Sequence, residues 1–128
     1  MTSGTPSTRQ SVSTIRVRYA ETDQMGVAYH ANYFVWFEVG RTDWLRTFGV
    51  TYRDLEAEGF LLPVIEAHCE YKTSARYDDE LRITSTARLV SAVRVAFDYE
   101  ITGPSATIAT GHTVHATLDR QGLSLIHI

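Results

Sequence analysis

Ser13 to Ala20 alternates, with Ile15, Val17 and Tyr19 on one side and Arg16 and Arg18 on the other. That period of two predicts a strand with one buried face. Glu21-Thr22-Asp23-Gln24-Met25-Gly26 breaks the pattern with polar residues ending in glycine and reads as a loop. From His30 to Phe48 there is no proline and Gly40 is the only glycine, which predicts a helix of roughly five turns. Within it Tyr33-Phe34-Val35-Trp36-Phe37 is apolar on all sides, the pattern of a helix wrapped by other structure. Glu38 and Arg41, three apart, can pair along one face. Gly49 stands as a helix stop. Thr51 to Glu58 predicts a second, short helix with Thr51 as N-cap and Asp54 in the capping-box position, ended by Gly59.

The remainder is extended. Leu61 to Thr73 predicts a strand whose beginning, marked by Pro63, lies at a sheet edge. After a turn at Arg76-Tyr77-Asp78-Asp79, Glu80 to Ser91 puts Leu81, Ile83, Ser85, Ala87 and Leu89 on one face. Val93 to Thr102 alternates Val93, Val95, Phe97, Tyr99 and Ile101 with polar residues and alanine. Gly103-Pro104-Ser105 turns the chain into a last strand, Ala106 to Leu118, and Asp119 to Gly122 turns again. One apolar helix beside a mostly antiparallel sheet is an α+β layout, and the sheet must curl to bury that helix.

At 128 residues the chain has the length of one domain. Its net charge of −3 gives no general attraction to nucleic acid, so a phosphate-bearing ligand needs a local basic cluster. Cys69 is the single cysteine, so no internal disulfide forms; in an apolar-rich run it reads as a buried structural thiol, compatible with a reducing cytoplasm. No CxxC or HExxH pattern points to a metal, and no apolar run approaches the ~20 residues of a membrane span. Residues 1–11 are small and polar and read as a leader without signal-peptide character. Residues 12–122 form the folded domain. Leu123 to Ile128, LSLIHI, matches the translation of a common sequencing adapter and is read as a non-native tail.

Taken alone, Asp23 is a turn or cap residue, and Gly26 supplies positive φ. Its position is more telling. The loop delivers an acid close to the start of a long buried helix, where N–H groups lack partners and the dipole is positive. Such a terminus can polarise a carbonyl and hold the oxyanion formed on attack. A facing acid can then serve as nucleophile or general base.

The string TDQMGVAYHANYFVWFEVGRTDWL resembles the hotdog-fold thioesterases of the 4-hydroxybenzoyl-CoA thioesterase type, and most closely the bacterial acyl-CoA thioesterases associated with the Tol-Pal system. The motif D-x-x-G-V-x-x-H-x-x-Y is present as Asp23, Gly26, Val27, His30 and Tyr33, and YKTSARYDDEL, Tyr71 to Leu81, is similar to the same family. The likeness runs from about Ile15 to Gly122.

The resemblance implies a hotdog fold, a curled five-stranded antiparallel sheet around one long helix, and hydrolysis of acyl-CoA to a carboxylic acid and CoA. It implies that Asp23 is the catalytic carboxylate. The backbone N–H of His30 polarises the thioester carbonyl, with Tyr29 offering a neighbouring N–H. Gly26 lets the loop approach substrate, and Tyr33 lines the acyl pocket. The His30 imidazole either touches substrate, assists protonation, or packs and caps.

Lys72 and Arg76 are the candidate CoA-binding cations, with Arg88 and Arg94 behind them. Glu66, which shares a strand face with His68, is a further candidate for substrate contact, or else half of a structural pair with that histidine. No cofactor beyond the CoA of the substrate is implied. The family pattern is a homodimer, often paired into a homotetramer, with sites between subunits; an acyl-carrier protein is an alternative thioester donor. Two other readings stay open. One is a hydroxyacyl-thioester hydratase or dehydratase that pairs His30 with Glu38, and the other is a non-catalytic thioester-binding module.

Overall fold

The computed structural model describes residues 9–49 and 51–118. In chain order the elements are β1 (Gln10–Arg16), α1 (Asn32–Thr47), α2 (Tyr52–Ala57), β2 (Val64–Tyr71), β3 (Glu80–Ser91), β4 (Arg94–Thr102) and β5 (Thr107–Ala116), with a 3-10 turn at Tyr19–Glu21. The strands form one antiparallel sheet in the order β1-β3-β4-β5-β2. β3, β4 and β5 are consecutive hairpins, so the register follows from short turns. β2 is carried past them to the far edge by the crossing of α1 and α2. This is the expected hotdog architecture.

Two expectations need correction. β1 starts at Gln10, inside the stretch read as leader, and ends at Arg16, because Arg18 to Glu21 closes on itself: the Glu21 carboxylate accepts the Arg18 N–H at 2.8 Å. α1 is not wrapped on all sides. Tyr33, Trp36 and Phe37 are buried, whereas Phe34 and Val35 are exposed, so one face of the helix is uncovered in the single chain. Arg41, placed to pair with Glu38 along one face, is 8% exposed, and its Nη1 donates to the Tyr99 hydroxyl at 3.2 Å. Residues 1–8 of the leader and the segment 119–128, with its apolar tail, lie outside the described residues.

The short helix follows its sequence signal. Thr51 Oγ1 accepts the Asp54 N–H at 3.0 Å. Pro63 stands immediately before β2, where its missing N–H costs nothing at the edge.

The core is the helix-to-sheet contact: Trp36 and Phe37 against Leu81, Ile83, Phe97, Tyr99, Ile101, Ile108 and Ala109. Two glycines permit the close approach. A Cβ at Gly40 would overlap Ser85 Oγ and lie 2.8 Å from Ile83 Cγ2. A Cβ at Gly111 would overlap the His68 carbonyl and lie 2.7 Å from the Phe37 ring. The Phe37 ring stacks on Tyr99 at 4.4 Å.

A polar chain crosses this core. Arg41 can only donate, so the Tyr99 hydroxyl accepts from it; with His115 neutral, that hydroxyl gives its own proton to Thr113 Oγ1 at 2.7 Å. Thr113 then donates to His115 Nε2 at 2.9 Å, and Nδ1–H donates to the Leu62 carbonyl at 3.0 Å. In this arrangement every donor points one way, and it is the arrangement that a neutral His115 completes. Burial, together with the Arg41 charge, lowers its pKa against the opposing pull of the Leu62 carbonyl.

Gly40→Val should cost about 1–3 kcal/mol, the usual range for overpacking, read as a fall in urea midpoint at unchanged slope. The polar chain carries a second prediction. Because the folded pKa of His115 lies below its unfolded value, this residue's contribution is complete above roughly pH 6.5. It is lost as pH falls from there toward the folded value, at up to about 1.4 kcal/mol per pH unit. Urea midpoints measured from pH 7.5 to 5 should therefore fall less steeply in His115→Gln than in the parent. Equal slopes would remove His115 from the acid limb.

Candidate functional site

Thr22 to Ala28 forms a miniature hairpin. Thr22 and Ala28 bridge, the Asp23 N–H donates to Val27 O at 2.9 Å, and the Gly26 N–H donates to Asp23 O at 3.0 Å. Gly26 has φ +79°, and nothing lies within 4 Å of the point a Cβ would occupy, so the turn needs its backbone conformation rather than its small size. Asp23 Oδ1 accepts the Met25 N–H at 2.8 Å, which leaves Oδ2 without a hydrogen-bond partner among the described residues. The hairpin is pinned on one side by Ala28 N–H to Ala75 O at 2.7 Å and by the bridge between Val27 and Arg76.

On the other side lies the start of α1. Its first turn is tight: the N–H groups of Asn32, Tyr33 and Phe34 donate to the carbonyls of Tyr29, His30 and Ala31. The N-cap, Ala31, offers no capping side chain, and no acid stands in the first turn. The N–H groups of His30 and Ala31 consequently have no partner among the described residues. Capping by Ser, Thr, Asp or Asn is worth ~1 kcal/mol; this helix forgoes it at the end that faces the acid-bearing hairpin. The Tyr29 N–H is not available, because it donates to the Glu21 carbonyl at 2.8 Å. Beside the His30 N–H, the N–H left without a partner among the described residues is that of Ala31, which is not itself in the cleft lining.

Asp23, Val27, Ala28, His30, Tyr33, Tyr71, Lys72, Thr73 and Ser74 line one cleft of about 300 Å³. Its inner wall is aromatic. The Tyr33 and Tyr71 rings meet edge to face at 4.8 Å, and the Tyr71 hydroxyl donates to the His30 carbonyl at 3.1 Å. The Tyr33 hydroxyl accepts the Ala75 N–H at 3.3 Å, and burial raises the Tyr33 pKa, so its phenol stays protonated near neutral pH. The His30 ring is exposed and rests against Tyr29 at 4.5 Å.

The cations divide. Lys72 lies in the cleft, where its Nζ is 3.0 Å from Glu70; that contact, with His68 next, holds the Glu70 carboxyl below its ordinary value. Arg76 does not line the cleft; its backbone is tied to Asp79 and to the cleft residue Val27, and its guanidinium forms no ion pair among the described residues. Arg88 is bound to Asp98 at 2.7 Å, and Arg94 lies exposed on β4; neither lines the cleft.

Glu66 also stands apart. It bonds His112 at 2.9 Å on the neighbouring strand, while His68 lies 3.4 Å from Glu70, so the structural pair is with His112 rather than His68. Burial raises the pKa of the half-buried Cys69 thiol, which opposes thiolate formation and a nucleophilic role. Glu38 is exposed and does not line the cleft; eight residues along a helix is about 12 Å from His30. Among the described residues no group of three His, Cys, Asp or Glu is placed to hold a metal, and no helix is long and apolar enough to cross a membrane.

Tyr71, Thr73, Ser74 and Ala31 were given no role from the sequence. Tyr71 falls in the second family-like segment, so position was the available signal; Ala31 carries no side-chain signal at all.

Residues 17–126 match the family model described as the thioesterase-like superfamily. The chain is 36% identical to “Putative acyl-CoA thioesterase YneP” of Bacillus subtilis over 113 residues, covering 88% of this chain and 82% of that protein. It is 33% identical over 94 residues to the acyl-CoA thioester hydrolase YbgC of Escherichia coli O6:H1, covering 73% and 70%. The crystal structure of the DHNA-CoA thioesterase of Staphylococcus aureus superposes with a TM-score of 0.85 at 34% identity, covering 91% of this chain and 79% of that one.

Proposed function

Because the chain belongs to the thioesterase-like superfamily, we propose that it hydrolyses acyl-CoA thioesters with the Asp23 carboxylate working against the unpaired N–H groups of His30 and Ala31. The observation that carries this reading is the shared cleft. One carboxylate oxygen without a partner and an uncapped helix start border the same space. A thioester whose carbonyl oxygen meets the His30 and Ala31 N–H groups gains stabilisation as negative charge develops there. Asp23 Oδ2 then adds to the carbonyl carbon, expelling CoA thiolate and leaving a mixed anhydride that water cleaves. Alternatively it takes a proton from the water that adds. Both routes end in carboxylic acid and CoA, and both need a charged carboxylate.

Tyr33 and Tyr71 support an acyl group along the aromatic wall. Lys72 and Arg76 suit the phosphates of CoA. An acyl-carrier protein presents the same thioester arm and is the alternative donor. The free, half-buried Cys69 thiol is in keeping with a cytoplasmic setting.

The single chain leaves the site half-walled, which favours a homodimer. β2 is an edge strand with every residue but Cys69 exposed, among them Val64 and Ile65, and it ends at Tyr71 beside the cleft. Exposed edges of this kind invite pairing. The uncovered Phe34 and Val35 on α1 add apolar area for a second copy to bury.

Asp23→Asn should fold as the parent does and release thiol from acyl-CoA at least about 100-fold more slowly, the scale of a lost acid–base group. Near-parental turnover would refute the assignment. Light scattering should give the parent at least twice the 14.4 kDa chain mass. Ile65→Arg should shift it toward monomer with loss of turnover; a monomeric, active parent would overturn the shared-site reading.

A further inference from the structure

We infer that Glu21 is a positioning residue for this reaction, locking the Asp23 hairpin to the start of α1. The inference rests on the reading of Asp23 as the working carboxylate. Glu21 is 7% exposed, and a buried carboxylate is costly unless its oxygens find donors. They do, and the donors come from two places, Arg18 after β1 and Trp36 in α1. Oε1 accepts the Arg18 N–H at 2.8 Å, at the exit of β1. Oε2 accepts the Trp36 indole N–H at 3.2 Å, from the second turn of α1, with the Arg18 guanidinium at 3.5 Å. The backbone carbonyl of the same residue accepts the Tyr29 N–H at 2.8 Å and the Asn32 Nδ2–H at 2.9 Å. One residue therefore holds the strand end, the returning arm of the hairpin, the first residue of the helix and its interior.

Asp23 needs that hold. Its own hydrogen bonds stay inside the hairpin, to Met25, Gly26 and Val27, and none reaches α1. The ties to Ala75 and Arg76 fix the hairpin against the β2–β3 connection, which reaches α1 less directly, through the Tyr33 hydroxyl on the Ala75 N–H at 3.3 Å and the Tyr71 hydroxyl on the His30 carbonyl at 3.1 Å. Glu21, two residues before the acid and one hydrogen bond from Asn32, is thus the direct link that sets the separation between Asp23 and the His30 and Ala31 N–H groups. The chemistry of position 21 is demanding. Two N–H donors, Arg18 N and Trp36 Nε1, converge on one side chain, and a carboxylate accepts both where an amide of equal size accepts one and opposes the other.

Misplacing reacting groups by about 1 Å can cost ~10²-fold in rate. In the full-length protein, Glu21→Gln should lower kcat about 10- to 100-fold for the folded fraction, while inhibition by free CoA stays within about twofold, because Lys72 and Arg76 are untouched. Asn32→Ala, which removes one tie at the partly exposed helix start, should lower kcat by a smaller factor in the same direction. It carries the test alone if the first variant does not fold. A role confined to stability predicts a lower melting temperature with parental kcat per folded molecule in both, and that result overturns the inference. Asp23→Asn run alongside separates the two ideas. Its inactivity with full turnover by both positioning variants defeats the role of Glu21 alone, whereas near-parental turnover by Asp23→Asn defeats the catalytic reading and this inference with it.

Discussion

The seating of α1 against the sheet is the constraint on which the rest depends. The helix can reach its depth only where side chains are absent, at Gly40 over Ser85 and at Gly111 under Phe37. Trp36 and Phe37 then disappear into the core, at 2% and 0% exposure. That contact does more than stabilise. It fixes the height and rotation of the helix start, and hence where its two unpaired N–H groups lie relative to the hairpin that crosses in front of them. Interiors packed at crystal-like density transmit such placement rigidly.

The hairpin and the helix start form the proposed site, in which ordinary stabilising devices are withheld. Ala31 stands where a capping serine or aspartate would be expected, and the carboxylate of Asp23 keeps one oxygen without a partner among the described residues although it sits beside a helix terminus. Local rules broken without local compensation are typical of sites. The compensation here is nearby: Glu21 satisfies the Tyr29 N–H and the Asn32 amide, and Tyr71 holds the His30 carbonyl.

The same economy of polar groups appears in the core. Arg41, Tyr99, Thr113 and His115 form a chain with a single direction, anchored at one end by a permanent cation and at the other by the Leu62 carbonyl. Such a chain is favourable only when every member is satisfied. It joins α1 to β4, β5 and the approach to β2. It therefore reinforces the helix–sheet contact away from the cleft and takes no part in the chemistry proposed there.

The sequence by itself determined the elements and their order, because periodicity and turn chemistry are local. Glu80 to Ser91 forms the strand its alternation predicts, Thr51 caps α2, and Pro63 marks the edge of β2. The motif around Asp23 and His30 likewise named two cleft residues, since chain neighbours at a loop and a helix start must lie near each other. Tertiary structure alone decided the partnerships between distant residues. Trp36 meets Glu21 fifteen positions away, Tyr71 meets His30 across forty-one, and Glu66 turns to His112 rather than to its strand neighbour. It also decided that the Tyr29 N–H is consumed while that of Ala31 has no partner among the described residues, and that Phe34 and Val35 face outward from a helix apolar all round. Periodicity records that a residue is apolar or polar; which surface or donor it meets depends on how the sheet closes over the helix, and that is settled only when the whole chain packs.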